Sequence, residues 1–436
     1  MIKNNPDIMK KNIIKGTLIL TFTGLLIKFL GFLYKIYLSR TIGAFAIGIY
    51  QLTLPVITLC HAVSIAGIEI TLSKTTAFYQ KNAPGMLKKN ATACSMISII
   101  LSTLSGGIVC LFSDVIATYF LKNRECSKII RIIAISLPFN SIHAMFYSYN
   151  IGKENSTLPA LSQLFEQLIR FLSLFFISKK IKGTEVAVLS ALAGEIASVI
   201  FCFAFIKLGK LKKEYFKYPS SMIKNIIKSA FPISLNRICL NIIQSVEIAL
   251  LPLMLQMYGM SKTSSLSTLG VISAMALPVI LLPATLISSF SLMLLPSASK
   301  NRHNPKIMKK YITKSCYCSV LYGLFCFFIM KYIMAKYTGI IFNSMELPEY
   351  VRRLSFMYPC LFINITLKTI LNSVDKSINV LINNMVCEFI CLIFIVAVVP
   401  KQGVDSYILG IIISQSVCTF MNIMSSGKYL NEIADI

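Results

Sequence analysis

Charged residues are scarce in this chain of 436 residues. They make up 14% of it, against roughly a quarter in soluble domains, while 56% of the residues are hydrophobic. This composition argues against a soluble globular fold. It also argues against transmembrane strands, because the apolar runs are too long and lack a period of two. We therefore predict an all-α integral membrane protein.

Side chains that commonly carry catalysis or bind metals are also few. The three histidines are expected to lie apart from carboxylates, with His61 and His143 as hydrogen-bonded interior residues, and the thirteen cysteines are scattered mainly through apolar runs. We recognise no constellation for metal binding, redox chemistry or nucleophilic catalysis, and no nucleotide-binding motif. We therefore expect no metal, no cofactor and no enzymatic activity, including that of a membrane-embedded glycosyl or acyl transferase.

Apolar runs of membrane-spanning length fill most of the chain. A helix needs about 20 apolar residues to cross the hydrocarbon core. The first run continues past the length of a signal-peptide core and lacks a small-residue cleavage site, so we predict a retained first helix. About twelve transmembrane helices are predicted, and they start near Ile13, Ala44, Ala91, Ile129, Leu158, Val186, Ile226, Leu269, Tyr311, Val351, Asn379 and Val404.

The second half of the chain repeats short motifs of the first half in the same order. The tetrapeptide NIIK begins at Asn12 and again at Asn225, and LPVI begins at Leu54 and again at Leu277. Single residues that recur in the same register are Pro138 and Pro359, Asn140 and Asn364, and Glu166 and Glu388. Such duplication is typical of transporters, whose substrate sites lie at the interface between repeats.

The repeat predicts two six-helix lobes related by pseudo-twofold symmetry, at residues 1–206 and 229–436. Between them, residues 207–228 form the most basic stretch of the chain and contain Pro219-Ser220-Ser221. We interpret this stretch as a cytoplasmic linker that leads into the second lobe.

The net charge of +26 is distributed unevenly. With the N-terminus inside, Lys and Arg are more numerous in the termini and even-numbered loops than in the odd-numbered loops. This asymmetry predicts a multi-pass cell-membrane protein with both termini in the cytoplasm. The basic loops are also suited to anionic lipid headgroups. We expect no nucleic-acid partner, because no soluble domain is present to carry a basic groove.

Charges inside the spans are the main candidates for function, because a cation at the helix centre costs roughly 2.5–3.5 kcal/mol on insertion scales. In the first span, Lys28 and Lys35 continue a stripe of small and polar residues that begins at Thr17 and Thr21. Two interpretations stay open for Lys28. It either lines a cavity and binds an anionic headgroup, or it pairs with Glu69 or Glu166. Lys35 either shares that role or reaches to the interface.

The fifth and seventh spans carry further polar residues at helical spacing. Glu166 precedes Arg170 by four residues, which favours an ion pair within the helix. Arg237 has no carboxylate at helical spacing before it, which makes it the candidate free cation of the second lobe. The predicted substrate-binding residues are Lys28, Lys35, Arg170, Arg237, Asn241 and Gln244. The acids predicted to be structural or ion-coupling are Glu69, Glu166, Glu195 and Glu388.

Several segments resemble polysaccharide transporters of the stage V sporulation protein B type. The segments are 15–55, which begins KGTLILTFTGLLIKFLGFLYK, SQLFEQLIR at 162–170, FPISLNRICLNIIQSVEIALLP at 231–252 and LGVISAMALPVILLPATLISSFSLMLLPSASK at 269–300. The resemblance covers roughly residues 12–400 within the multidrug/oligosaccharidyl-lipid/polysaccharide (MOP) flippase superfamily. It implies two six-helix lobes around a central cavity that opens to each side in turn. Lys28, Arg170 and Arg237 would correspond to basic residues of the family's central helices.

Two features depart from this family. Its members usually continue for about two more C-terminal helices, which can form a groove for the lipid tail, whereas this chain stops at Ile436. Glu69 also stands in the sequence GIEIT, where a Gly-Ile-Pro pattern is expected.

The resemblance implies a polyprenyl-linked saccharide as cargo, such as a peptidoglycan or polysaccharide precursor for the spore cortex. The expected partners are membrane lipids and this lipid-linked saccharide, with cell-wall synthesis enzymes as further candidates and a monomer favoured. The alternative is a cation-coupled exporter of drugs or metabolites on the same fold. Sites for organic cations favour acids in the first lobe, whereas the first span carries lysines and no acid, which favours anionic cargo.

Overall fold

The structure, a computed structural model, describes residues 6–205, 215, 218–300, 302 and 304–434. Within these ranges the chain is helical and contains no strand. Helices satisfy every backbone N–H and C=O within their own segment, which a chain this apolar requires in hydrocarbon. The prediction of an all-α membrane protein is confirmed.

The described residues of the first half of the chain fold into six long helices. They are α1 (Pro6–His61), α2 (Gly67–Asn82), α3 (Pro84–Leu111), α4 (Cys126–Gly152), α5 (Thr157–Ile177) and α6 (Glu185–Phe205). Short helical segments at Ser113–Val115 and Ile116–Phe120 precede α4.

Seven long helices follow in the part of the second half that the structure describes. They are α7 (Ser220–Met257), α8 (Lys262–Leu281), α9 (Ala284–Lys300), α10 (Pro305–Phe342), α11 (Leu347–Ser373), α12 (Ser377–Gln402) and α13 (Val404–Ala434). Among the described residues, 11 helices are long and apolar enough to cross a membrane. This agrees with about twelve predicted spans, because the first two spans run together as Phe22–Gln80.

Local sequence explains where several helices begin and bend. Pro84 and Pro305 stand in the first turns of α3 and α10, where their missing N–H has no helical partner to lose. Asn304 caps α10, since its side chain accepts a hydrogen bond from the Ile307 N–H at 3.2 Å. Gly43 has φ +77°, which kinks α1, and the π-helical segment Ala62–Ala66 joins α1 to α2.

The helices form two compact units. The first holds the described residues of Met1–Ile42 and Leu52–Ile242, and the second those of Gly43–Gln51 and Ile243–Ile436. The division of these units therefore falls inside α7. Residues 207–214, 216 and 217 of the basic stretch 207–228 lie outside the described residues, and its role as a linker stays a prediction.

Close backbone contact explains why the first part of α7 belongs to the first unit. A Cβ atom added to Gly67 of α2 would lie 2.3 Å from the carbonyl oxygen of Ala230. Only a residue without a side chain allows two helices to approach so closely. Beside this contact, Met222, Ile226 and Ala230 of α7 pack into a core with residues of α2, α3 and α4.

The two units repeat one order of helix packing. In the first, α3 packs on α4, α5 on α6, and α2 on α4. In the second, α10 packs on α11, α12 on α13, and α9 on α11. The helices α3 and α10 begin at Pro84 and Pro305, and α4 and α11 at Cys126 and Leu347, so both pairs are offset by 221 positions. The internal organisation of the units therefore supports the duplication that the motifs predict.

Candidate functional site

A cavity of about 550 Å³ lies within the first unit. Its polar lining consists of Thr58, His61, Glu69, Arg237 and Asn241, and small or aliphatic residues complete the wall. It therefore combines one guanidinium, one carboxylate and one imidazole with neutral hydrogen-bonding groups.

Helices α1 and α2 form one wall of this cavity. Between them, the π-helical segment Ala62–Ala66 contributes Ala62 and Ala66 to the lining. A π-helical turn adds a residue to the helical repeat and so changes the direction of the side chains on either side of it. The segment Ala62–Ala66 separates His61 on α1 from Glu69 on α2, and the side chains of both residues line the cavity.

Helix α7 forms the other wall. Arg237 and Asn241 are four residues apart and therefore share one face of the helix. The Asn241 side-chain amide donates a hydrogen bond to the Thr58 carbonyl oxygen at 2.9 Å, which ties α7 to α1. The contact at Gly67 holds α7 against α2 two turns earlier, at Ala230. These two contacts hold the part of α7 that carries Arg237 against α1 and α2.

Arg237 is exposed to the cavity space, and Glu69 is half-buried. The guanidinium interacts electrostatically with both Glu69 and His61. In the part of the chain that the structure describes, no carboxylate forms an ion pair with it. Because the Arg237 guanidinium acts on Glu69 and His61 at longer range, its N–H groups can donate hydrogen bonds to an incoming anion.

A second polar cluster is buried among α4, α5 and α6. Arg170 Nη2 lies 2.5 Å from Glu166 Oε1 and 3.7 Å from Glu195 Oε1. His143 Nδ1 lies 3.1 Å from Glu166 Oε2, and its Nε2 lies 3.1 Å from Ser162 Oγ. The expectation that histidines lie apart from carboxylates is therefore wrong. Residues distant in sequence meet because α4 packs on both α5 and α6.

The same cluster shows the surroundings of three predicted site residues, Glu166, Arg170 and Glu195. The ion pair between Glu166 and Arg170 is present, as their spacing predicts. Glu195 is not isolated, because Asn140 donates a hydrogen bond to its Oε1 at 3.0 Å and Arg170 lies nearby. Its other oxygen, Oε2, has no hydrogen-bond partner in the described structure.

Three groups of this cluster lie close enough together to hold a metal ion. His143, Glu166 and Glu195 offer ligand atoms within 4.8 Å of one another, but the Arg170 guanidinium already lies against both acids.

The predicted residues of the second unit form a separate group. Gln244 donates a hydrogen bond from Nε2 to Glu388 Oε1 at 2.8 Å. Glu247 is buried, interacts electrostatically with Glu388, and its Oε1 has no hydrogen-bond partner in the described structure. Gln244 and Glu388 are thus bound to each other and do not line the cavity of the first unit.

The two lysines of the first span lie on α1 outside the cavity lining. Lys28 is exposed and Lys35 is half-buried, while the side chains of Thr17 and Thr21 lie outside the described ones. The pairing of Lys28 with Glu69 or Glu166 is not observed among the described ion pairs. Of the six predicted substrate ligands, the structure brings only Arg237 and Asn241 together in the cavity.

Comparisons with known proteins agree with this architecture. The family described as polysaccharide biosynthesis protein matches residues 13–302. The chain is 22% identical to stage V sporulation protein B of Bacillus subtilis (strain 168), over 97% of this chain and 85% of that protein.

Solved structures show the same fold. An inward-facing multidrug resistance MATE family transporter of the MOP superfamily has a TM-score of 0.76 at 13% identity, covering 94% of this chain and 96% of its own. The lipid II flippase MurJ in an inward closed conformation has a TM-score of 0.73 at 13% identity, covering 95% of this chain and 90% of its own. The resemblance inferred from the sequence is confirmed. This multi-pass membrane protein belongs to the polysaccharide biosynthesis protein family and has the fold of the MOP superfamily.

Proposed function

We propose that this protein is a flippase that moves a polyprenyl-diphosphate-linked saccharide across the cytoplasmic membrane by alternating access. The observation that carries the proposal is Arg237, an arginine in an apolar helix that faces an open polar cavity. A cation in that position needs an anionic ligand or a hydrated space to offset its desolvation. The diphosphate of a lipid carrier supplies such an anion.

In this mechanism Arg237 binds a diphosphate oxygen through charge-assisted hydrogen bonds. Asn241 lies one turn along the same face and donates to Thr58, which keeps the arginine side of α7 in place. The saccharide occupies the polar space, and the isoprenoid tail stays in lipid. Duplicated units with one packing order are the architecture that alternating access uses.

The remaining predicted residues have different roles in this proposal. Lys28 and Lys35 lie on α1 outside the cavity and would attract the anionic headgroup before it reaches Arg237. Arg170 is neutralised by Glu166 and Glu195 and positions α5 against α6. The sequence carries no nucleotide-binding motif, so we assign the driving force to an ion gradient or to consumption of the product.

The finer assignments are also part of the proposal. The cargo is a peptidoglycan or polysaccharide precursor, used in the spore cortex, and the enzymes of cell-wall synthesis are the partners that consume it. The protein works as a monomer with both termini in the cytoplasm. The name of the Bacillus subtilis relative supports the link to sporulation.

Reconstituted liposomes test the role of Arg237. Arg237→Ala should slow the flipping of a labelled polyprenyl-diphosphate sugar by roughly 10- to 100-fold, the range expected for one charge-assisted hydrogen bond. Arg237→Lys should restore part of the rate. Arg124→Ala, at an exposed position outside the cavity, is the matched control. Flipping by Arg237→Ala at the parent rate would refute the assignment.

Thermal unfolding in detergent separates this function from drug export. We expect polyprenyl-diphosphate sugars to raise the unfolding temperature of the parent protein and not of Arg237→Ala, because a ligand stabilises the state that binds it. Stabilisation by organic cations in their place would favour a multidrug antiporter.

A further inference from the structure

We propose that binding of the anionic headgroup in the cavity is linked to uptake of one proton by Glu69. This inference rests on the proposed function and adds a regulatory property to the same site. It starts from the two opposite charges of the cavity lining, Glu69 on α2 and Arg237 on α7.

Glu69 is an acidic residue in the lining of the cavity that we propose to bind an anionic headgroup. It lines the same cavity as Arg237 and interacts with it electrostatically, without forming a direct ion pair. In the empty cavity the carboxylate offsets part of the guanidinium charge. A diphosphate that binds Arg237 takes over this role and adds its own negative charge beside Glu69.

The other groups around Glu69 come from three elements. His61 reaches the cavity from α1, and His143 and Tyr147 on α4 interact electrostatically with Glu69. The Ser148 hydroxyl, also on α4, donates a hydrogen bond to the Glu69 backbone carbonyl and so fixes this part of α2. From α3, the thiol of Cys94 lies in the core packed beside α2.

Among these groups, Glu69 is the one whose protonation removes repulsion from the ligand. Like charges in a low dielectric repel more strongly than in water. A carboxylic acid can also donate a hydrogen bond to a phosphate oxygen, whereas a carboxylate can only accept one. Protonated Glu69 therefore favours the bound state, and ionised Glu69 favours release.

The position of His143 extends this linkage into the buried cluster. His143 interacts with Glu69 and lies 3.1 Å from Glu166, which in turn contacts Arg170. A change in the charge of Glu69 therefore acts electrostatically, through His143, on the group of side chains that holds α4, α5 and α6 together. This supplies a route by which headgroup binding can affect the packing of the first unit.

Calorimetric titration of the purified full-length protein tests the linkage. The probe is a short-chain prenyl diphosphate esterified to N-acetylglucosamine, since both phosphates are esterified and the ligand keeps its charge. Titrations run from about pH 5.5 to about pH 8.5 in buffers of different ionisation enthalpy. Between the pKa values of Glu69 in the free and in the ligand-bound protein, we expect the parent to take up as much as one proton per ligand. Over the same pH range its affinity for the probe should fall by up to tenfold per pH unit.

Glu69→Gln should bind the probe with an affinity that changes little with pH, without proton uptake, and more tightly than the parent at high pH. Glu154→Gln, an exposed loop acid outside the cavity, should behave as the parent does. Thermal unfolding checks that each variant is folded. Proton uptake that persists in Glu69→Gln and disappears in His143→Gln would overturn the assignment to Glu69.

The two proposals fail in different ways. If the parent and Arg237→Ala bind the probe equally, or if neither binds it, the proposed function fails, and the linkage fails with it. If binding depends on Arg237 but the pH dependence of Glu69→Gln equals that of the parent, only the linkage is wrong.

Discussion

Arg170 and Arg237 both lie on apolar helices, yet their surroundings give them different roles. Arg170 is held between two buried carboxylates, with His143 beside Glu166 and Asn140 donating a hydrogen bond to Glu195. Arg237 faces a cavity and acts on Glu69 and His61 at longer range. A neutralised buried arginine stabilises its helices, whereas one beside open space can exchange its partner for a ligand.

The buried cluster predicts a large effect of removing one charge. Glu166→Gln should lower the free energy of unfolding by about 3–5 kcal/mol, because Arg170 and His143 lose the carboxylate that pairs with them. Thermal unfolding in detergent measures the change. Glu154→Gln, on an exposed loop, should stay within about 0.5 kcal/mol of the parent. Equal stability of both variants would show that the cluster contributes little.

At the scale of the elements, small residues decide which helices touch. Gly67 brings α7 against α2, and Gly270 of α8 approaches the Ala44 carbonyl so closely that an added Cβ would lie 2.3 Å away. Without water in the hydrocarbon, helices associate through such close packing and not through burial of apolar surface. Bulky apolar side chains accordingly remain on the outer faces, as at Leu111 and Phe176.

Two adjacent glycines of α3 give a matched test of this packing. A Cβ at Gly106 would lie 2.7 Å from the Ala134 carbonyl oxygen of α4, while a Cβ at Gly107 meets nothing within 4 Å. Gly106→Ala should therefore destabilise the protein by about 1–3 kcal/mol. Gly107→Ala should leave stability unchanged or raise it by up to about 1 kcal/mol. Thermal unfolding of both variants compares them, and a reversed order would contradict the packing.

At the scale of the whole molecule, duplication organises the chain. Helix pairs of the first unit have counterparts in the second with the same order of packing. Glu166 recurs as Glu388, but the surroundings of these acids differ between the described parts of the two units. The first unit carries the cavity with Arg237 and the cluster around Glu166, and the second carries Glu247 with Glu388. Two copies of one scaffold thus carry different polar sites, as the sites depend on a few side chains per helix.

The orientation of the chain in the membrane is a further prediction at this scale. Alkaline phosphatase fused after Lys122 or Lys182 should be active, because the charge bias places these loops outside. Fusions after Asn82 or Glu154 should be inactive, since the same bias places them in the cytoplasm. Western blots establish that all fusions are expressed. The opposite pattern of activity would reverse the predicted topology.

Most of the fold could be predicted from the sequence, and only part of the site. The starts of the spans, the duplication and the pair of Glu166 with Arg170 depend on spacing along the chain, which can be counted. The repeat in the sequence identifies Asn140, but it does not predict that Asn140 donates a hydrogen bond to Glu195. The division of the two compact units inside α7 depends on which helices pack together, which spacing along the chain does not give.

Length, hydropathy and spacing alone define this protein as a polytopic helical bundle, since hydrocarbon requires each span to satisfy its own backbone hydrogen bonds. The placement of Glu69 and Arg237 in the lining of one cavity follows from tertiary packing only. These residues are far apart along the chain, and they line the same cavity because a glycine without a Cβ lets α2 and α7 come together. Which charges face open space, and which neutralise each other in the interior, is decided by that packing.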